Sequence, residues 1–230
     1  MKEPILCCGD SAVTVQLGES VSEAVNRRVT EAERLFSTHR LPGITEVVPT
    51  YTTVCIHYDP LVLRYEQVLD WIRGLELPQT LTGAETEKRL IRIPVCYGGD
   101  FGPDLAFVAK HSGLTEDEVI RRHCQPEYLV YMLGFLPGFA YLGGMDDTIA
   151  CPRLLSPRTK IPAGSVGIAG SQTGIYPLVS PGGWQLIGRT PYRMLDLRED
   201  KTEFRLSAGD FVKFYPISES RYREMEGAYD

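Results

Sequence analysis

Arg153 and Arg158 each follow a proline in CPRLLSPRTK, so the backbone ahead of each guanidinium is stiff. A guanidinium presents a planar fork of donors that matches a carboxylate or a phosphoryl group, and two of them this close in sequence could clamp a small anion. The same pair also suits exposed ion pairing with the surplus acidic residues, and the spacing leaves both readings open. Gln172 and Tyr176, set between glycines in SQTGIYP, add hydrogen-bonding groups, either to such a clamp or to a surface turn. His123 closes a helical pattern. A helix C-terminus favours the protonated imidazole and puts its titration near neutral pH, which suits a general acid or base, or a cap on the last carbonyls. Phe135, Phe139 and Trp184 flank Pro-Gly pairs; they would line an apolar groove for a partner or fill a barrel core.

Most of these residues fall between Tyr131 and Pro191, a segment with a density of glycine, proline and aromatic residues that ordinary core strands do not tolerate. Glycine serves where the backbone takes positive φ or is approached closely, and proline fixes φ and removes a donor, so the segment specifies a fixed path of turns and short strands. The rest of the chain must hold that path in place.

Two regions are legible. Ile5 to Cys8 and Ala12 to Leu17 read as paired strands around Gly9-Asp10. Val21, Val25, Val29, Ala32 and Phe36 recur at three- and four-residue steps, marking an amphipathic helix stopped by Leu41-Pro42-Gly43. Thr45 to Val48 and Thr52 to Tyr58 are strand-like, and Tyr65, Val68, Leu69, Ile72 and Leu75 mark a second helix. The order strand, strand, helix, strand, strand, helix predicts a small α+β sandwich over residues 1–87, with the polar stretch 79–87 as linker. Residues 88–230 open with an alternating strand, Arg89 to Tyr97. Short helices follow over 103–111 and 115–124, the second started by Thr115 with Glu118 three residues on. From Tyr128 to Phe214 the chain reads as all-β, a barrel or sandwich.

Composition narrows the function classes. A chain of 230 residues with 43% hydrophobic and 23% charged residues is that of a globular protein with a real core. The net charge of -6 and pI near 5.3 exclude duplex nucleic acid or an anionic membrane as main partner, since either needs a basic face. The opening MKEPILCCGD lacks the apolar run of a secretory signal, so a cytoplasmic location is expected. The six cysteines show no CxxC spacing and are expected to be reduced and buried. GSVGIAG lacks the GxGxxG geometry, and neither a GxxxxGK[ST] loop nor a GxSxG elbow is present. The four histidines lack metal-ligand spacing, so no metal site is expected.

RIPVCYGGDFGPDL, EYLVYMLGFLPGFAYLGGM, the doubled Pro-Arg of CPRLLSPRTKIPAGSVGIAG and QTGIYPLVSPGGWQLIGRTP together resemble the 5-oxoprolinase B-subunit family, also called allophanate hydrolase subunit 1. GDSAVTVQLG is a weaker match, and the likeness runs nearly end to end. The resemblance implies an N-terminal α+β domain and a C-terminal cyclophilin-like β-barrel. It implies work beside two partners, a homologous barrel-forming C subunit of the 5-oxoprolinase and its A subunit, opening 5-oxo-L-proline to L-glutamate with ATP held at the level of the complex. On that resemblance Arg153, Arg158, Gln172 and Tyr176, with His123, would face the C subunit, binding carboxylate or phosphoryl oxygens. Some members of the family inhibit a sporulation histidine kinase, and for that role Phe135, Phe139 and Trp184 would be the working surface. A third alternative is the carboxyltransferase half of a urea-carboxylase-like system, with biotin on another chain because no MKM occurs here.

Overall fold

In Thr53–Tyr58 every second side chain is buried, the pattern of a strand covered on one face. A computed structural model, which describes residues 3–77, 89–198 and 201–226, shows what covers it. The chain divides into two compact units, Met1–Glu87 and Lys88–Asp230. The stretch 79–87, expected as a linker, lies outside the described residues.

The first unit runs β1 (Ile5–Cys7), β2 (Ala12–Gln16), α1 (Glu23–Thr38), β3 (Ile44–Pro49), β4 (Thr53–Tyr58) and α2 (Tyr65–Gly74). The strands form one sheet in the order β1-β2-β4-β3. Ser22 starts α1 by accepting a hydrogen bond from the Val25 N–H at 3.2 Å, satisfying one of the free amides of the first turn. The apolar stripes of both helices, Val29, Ala32 and Phe36 on α1 and Val68 and Ile72 on α2, enter one core with Val13, Val15, Val54 and Ile56 of the sheet. Both helices therefore cover the same sheet face. Burying side chains of this size contributes about 1.5–3 kcal/mol each, the term that holds so small a sheet together. Cys7 and Cys8 correct one expectation: they are exposed, because Cys7 ends a three-residue strand at the sheet edge and Cys8 follows it. Cys96 and Cys151 are buried as expected, while Cys55 and Cys124 are partly covered.

The second unit begins with β5 (Leu90–Tyr97), α3 (Leu105–Ser112), α4 (Glu116–Cys124), β6 (Tyr128–Leu133) and β7 (Ala140–Gly143), followed by a 3-10 turn, Asp147–Ile149. It continues with β8 (Arg158–Ile161), β9 (Ser165–Ala169), β10 (Gln172–Ile175), β11 (Ser180–Gly182) and β12 (Gln185–Arg189). The last elements are β13 (Leu195–Arg198), β14 (Lys201–Phe204), β15 (Phe211–Pro216) and α5 (Glu219–Glu226). Seven strands close a barrel in the order β10-β7-β6-β15-β5-β12-β9, with β9 pairing back onto β10. β15 and β5 are parallel, and every other barrel pairing is antiparallel. The interior is filled by Ile93, Val95, Val130, Val166, Ile168 and Phe214, with residues of α3 and α4 packed into the same cluster. Two ribbons, β8–β11 and β13–β14, are separate from the barrel sheet. The architecture is the expected α+β one with a closed barrel. α5 was not legible: it is short, strongly polar and buries only Tyr222.

Candidate functional site

The GGDFGPD loop ends at Asp104, which sits where an aspartate usually caps a helix. Its carboxylate makes no bond to α3. Oδ1 instead accepts from Arg158 Nη2 at 2.7 Å and Oδ2 accepts from the Leu186 N–H at 2.7 Å, while the Asp104 N–H donates to the Leu186 carbonyl at 2.9 Å. Gly102 makes this reach possible, because a Cβ there would stand 2.0 Å from the Ile187 carbonyl oxygen and push the loop off β12. Arg158 is thereby fixed at the start of β8, opposite Gly182 of β11. Its Nη1 is buried and has no hydrogen-bond partner among the described residues, so the guanidinium keeps donor capacity that they do not use.

Arg153 lies on the loop that leads into β8 and meets the same turn. The Leu154 N–H donates to the Gly183 carbonyl at 2.7 Å and Gln185 Nε2 to the Pro152 carbonyl at 3.0 Å, tying the loop down. The Arg153 guanidinium carbon lies 6.0 Å from the Trp184 ring centroid, and the residue is exposed. Among the described residues no carboxylate is paired with it. Leu155, at the tip of this loop, is fully solvent-exposed. The Tyr176 phenol points at the Gly182–Trp184 turn. Burial pushes its pKa up, against a hydrogen bond from the Trp184 backbone and the pull of the Arg153 and Arg158 guanidiniums.

Tyr176 and Trp184 belong to an aromatic layer on the outer barrel wall, with Phe139 at its centre. Phe139 stands edge-on to Tyr141, Tyr176 and Trp184 at 5.1, 5.4 and 5.5 Å between centroids. Two glycines make room for the rings. Gly167 of β9 is opposite Gly174 of β10, and a Cβ at Gly174 would meet Phe139 Cζ at 3.0 Å and Trp184 Cζ3 at 3.1 Å. The groove expected from Phe135, Phe139 and Trp184 is therefore not an open one. Phe139 and Trp184 are 1% and 6% exposed, because they lie on this glycine floor with Ile161 of β8 packed against them. Phe135 alone is presented to solvent, 65% exposed.

Gln172 lies opposite Ala169 of β9, at the other end of its strand from Tyr176. It opens β10, whereas Tyr176 follows the last residue of that strand, so about 13 Å of extended chain lies between them.

His123 also departs from expectation. The end of α4 points into the barrel, and the imidazole is completely buried, stacked on Phe214 at 4.6 Å. Nδ1 lies 2.8 Å from Tyr97 Oη and Nε2 2.8 Å from Thr173 Oγ1. Thr173 Oγ1 donates to the Gly167 carbonyl at 3.0 Å, so it must accept from Nε2–H, and Nδ1 must accept from the Tyr97 hydroxyl. Loss of water outweighs the helix terminus and drives the histidine pKa down to about 3. The ring is neutral at physiological pH and braces strands; it has neither the charge nor the access of an acid or base.

The chain matches the family described as Carboxyltransferase domain, subdomain C and D, over residues 4–205. It is 45% identical over 227 residues to the 5-oxoprolinase B subunit of Bacillus subtilis (strain 168), covering 93% of this chain and 92% of that protein. The corresponding protein of Escherichia coli O157:H7 is 42% identical over 213 residues, covering 92% and 94%. The chain belongs to the 5-oxoprolinase B-subunit family. The solved structure of TTHA0988 superimposes on this family member with a TM-score of 0.78 at 38% identity, covering 90% of the chain. The chain spans 40% of the length of TTHA0988.

In this member of the 5-oxoprolinase B-subunit family the motif residues converge unevenly. Arg153, Arg158, Tyr176 and Trp184 meet at the Gly182–Trp184 turn, Gln172 lies at the other end of β10 from Tyr176, and His123 lies inside the barrel. Asp104, the residue that holds Arg158, could not be picked out from sequence. A carboxylate after Gly-Pro reads as a helix cap, and nothing along the chain pairs it with an arginine 54 residues away.

Proposed function

We propose that the chain is the B subunit of an ATP-dependent 5-oxoprolinase, acting with a homologous C subunit of that enzyme, and with its A subunit, to convert 5-oxo-L-proline to L-glutamate. The observation that carries this reading is the 45% identity, over nearly the full length of both chains, to a protein named as the B subunit of 5-oxoprolinase. The geometry agrees with a share in anion handling. Two guanidiniums and a phenol border one backbone turn, and charged donors of this kind bind carboxylate or phosphoryl oxygens strongly in a partly desolvated setting. Opening a five-membered lactam needs activation that ATP supplies when bound, and the reacting groups must be shielded from water. The Arg153 loop and the β8–β11 ribbon would form part of that shield, facing the C subunit. The isolated chain is then expected to have no turnover, and an ATP-consuming reaction suits the cytoplasm.

Reconstitution of the three subunits with ATP and 5-oxoproline tests this directly. Glutamate release should disappear when this chain is omitted, and Arg153→Ala and Arg158→Ala should each lower kcat/KM about 10-fold or more, the scale of losing a charged contact to substrate. Unchanged turnover without the chain would overturn the assignment. The family match to carboxyltransferase subdomains favours one second reading, a carboxyltransferase-type subunit served by biotin on another chain. Carboxyl transfer from a biotinylated partner, with no 5-oxoproline turnover, would support that reading instead.

A further inference from the structure

Two cations, Arg153 and Arg158, border the Gly182–Trp184 turn, yet only one is paired with a carboxylate. Arg158 lies opposite Gly182 and is held by Asp104 Oδ1 at 2.7 Å, while the loop bearing Arg153 is tied to the Gly183 carbonyl and leaves its guanidinium exposed. Together the two guanidiniums and the Asp104 carboxylate carry one net positive charge. Asp104 caps no amide of α3, so the ordinary reason for an aspartate at that position is absent. Its burial is tolerable because both oxygens are occupied, one by Arg158 and one by the Leu186 N–H.

We propose that Asp104 sets the anion selectivity of this turn: it fixes Arg158 and cancels one guanidinium charge, leaving Arg153 to hold a singly charged carboxylate in preference to a doubly charged phosphoryl group. The inference rests on the reading of the turn as an anion site. A monoanion meeting one net positive charge forms a neutral complex. A dianion brings an unbalanced negative charge toward the Asp104 carboxylate, and like charges repel strongly where water is partly excluded. The preference assigns the carboxylate of the substrate to this chain and the phosphoryl group to another part of the assembly. Asp104 acts through Arg158 and the local field without touching the ligand, so it is a positioning residue.

The test is a pair of titrations of the full chain, one with 5-oxo-L-proline and one with inorganic phosphate, followed by NMR at the Gly182 and Gly183 amides. The wild type should bind 5-oxoproline more tightly than phosphate, and Arg153→Ala should lose both. Asp104→Asn, which keeps an oxygen for the Leu186 N–H and removes the charge, should shift the affinity ratio toward phosphate by about 10-fold or more. A merely structural role would weaken both anions together. Equal or tighter phosphate binding by the wild type overturns the proposal whether or not the variant folds, as does an unchanged ratio in folded Asp104→Asn. Turnover of the assembled enzyme is read separately. An unchanged ratio beside chain-dependent turnover removes the Asp104 assignment alone, whereas turnover indifferent to Arg153→Ala and Arg158→Ala removes the anion site beneath it.

Discussion

A buried neutral histidine is a record of the pH at which a fold can exist. Because the native state holds the His123 pKa near 3, against about 6.5 for a free side chain, the unfolded chain binds a proton that the folded one refuses. Its contribution is therefore fully present above pH 6.5 and is lost as pH falls toward 3, reaching roughly 5 kcal/mol at the lower end. Urea midpoints of wild type and His123→Gln should differ most at pH 7 and converge by pH 4; a constant difference would contradict the buried neutral ring. Phe135 makes the opposite trade. Its φ of 66° places a bulky side chain in the left-handed region. The Leu136 N–H closes a γ-turn onto the Gly134 carbonyl at 2.8 Å, a conformation costing about 1–3 kcal/mol. The edge contact with Phe139 returns only about 0.5–1.5 kcal/mol. Phe135→Gly should thus raise the thermal midpoint by a few degrees, about 1 kcal/mol in stability, measured by calorimetry. A loss of stability would show that the ring contact outweighs the strain.

Among the elements, those built from local pattern were legible and those built by distant pairing were not. The stripe Val29, Ala32, Phe36 and the Thr115 cap, which accepts from the Glu118 N–H at 3.2 Å, are written within single turns of helix, and both appear where the sequence puts them. The run of glycines in β9 and β10 announced close approach, but not to what. Only the pairing of Gly167 with Gly174 shows that the approaching groups are Trp184 and Phe139. The same limit hid the site. The two arginines were visible in the sequence, whereas Asp104 and the inward turn of His123 depend on which strand each loop meets. At the scale of this layer, Gly174→Ala should cost about 1–3 kcal/mol, because a methyl group 3.0 Å from Phe139 and 3.1 Å from Trp184 has rings on two sides and the Ala140 carbonyl at 3.2 Å on a third. Chemical denaturation would measure it, and a change below about 0.5 kcal/mol would mean that the rings can shift without loss.

Over the whole molecule, each unit carries its own core: Val13, Val54 and Phe36 in one, Ile93, Val166 and Phe214 in the other. Among the described residues no helix is long and apolar enough to cross a membrane. The proposed anion site belongs entirely to the second unit, since Asp104, Arg153, Arg158 and Tyr176 all lie beyond residue 88. That unit places its first strand beside its last. β5 pairs in parallel with β15, Leu90 opposite Phe211, so 121 residues separate partners that must lie side by side. On a translating ribosome, which adds about 5–20 residues per second, β5 leaves the exit tunnel roughly 6–24 s before its neighbour exists. For that interval the nascent barrel is an unrolled sheet with a sticky margin, open to pairing with a chain growing on the next ribosome along the message. Arg89, which donates to the Arg205 carbonyl at 2.8 Å in the finished protein, stands meanwhile between Lys88 and Arg92 at the head of that margin, a run of charge that discourages a stranger from pairing there.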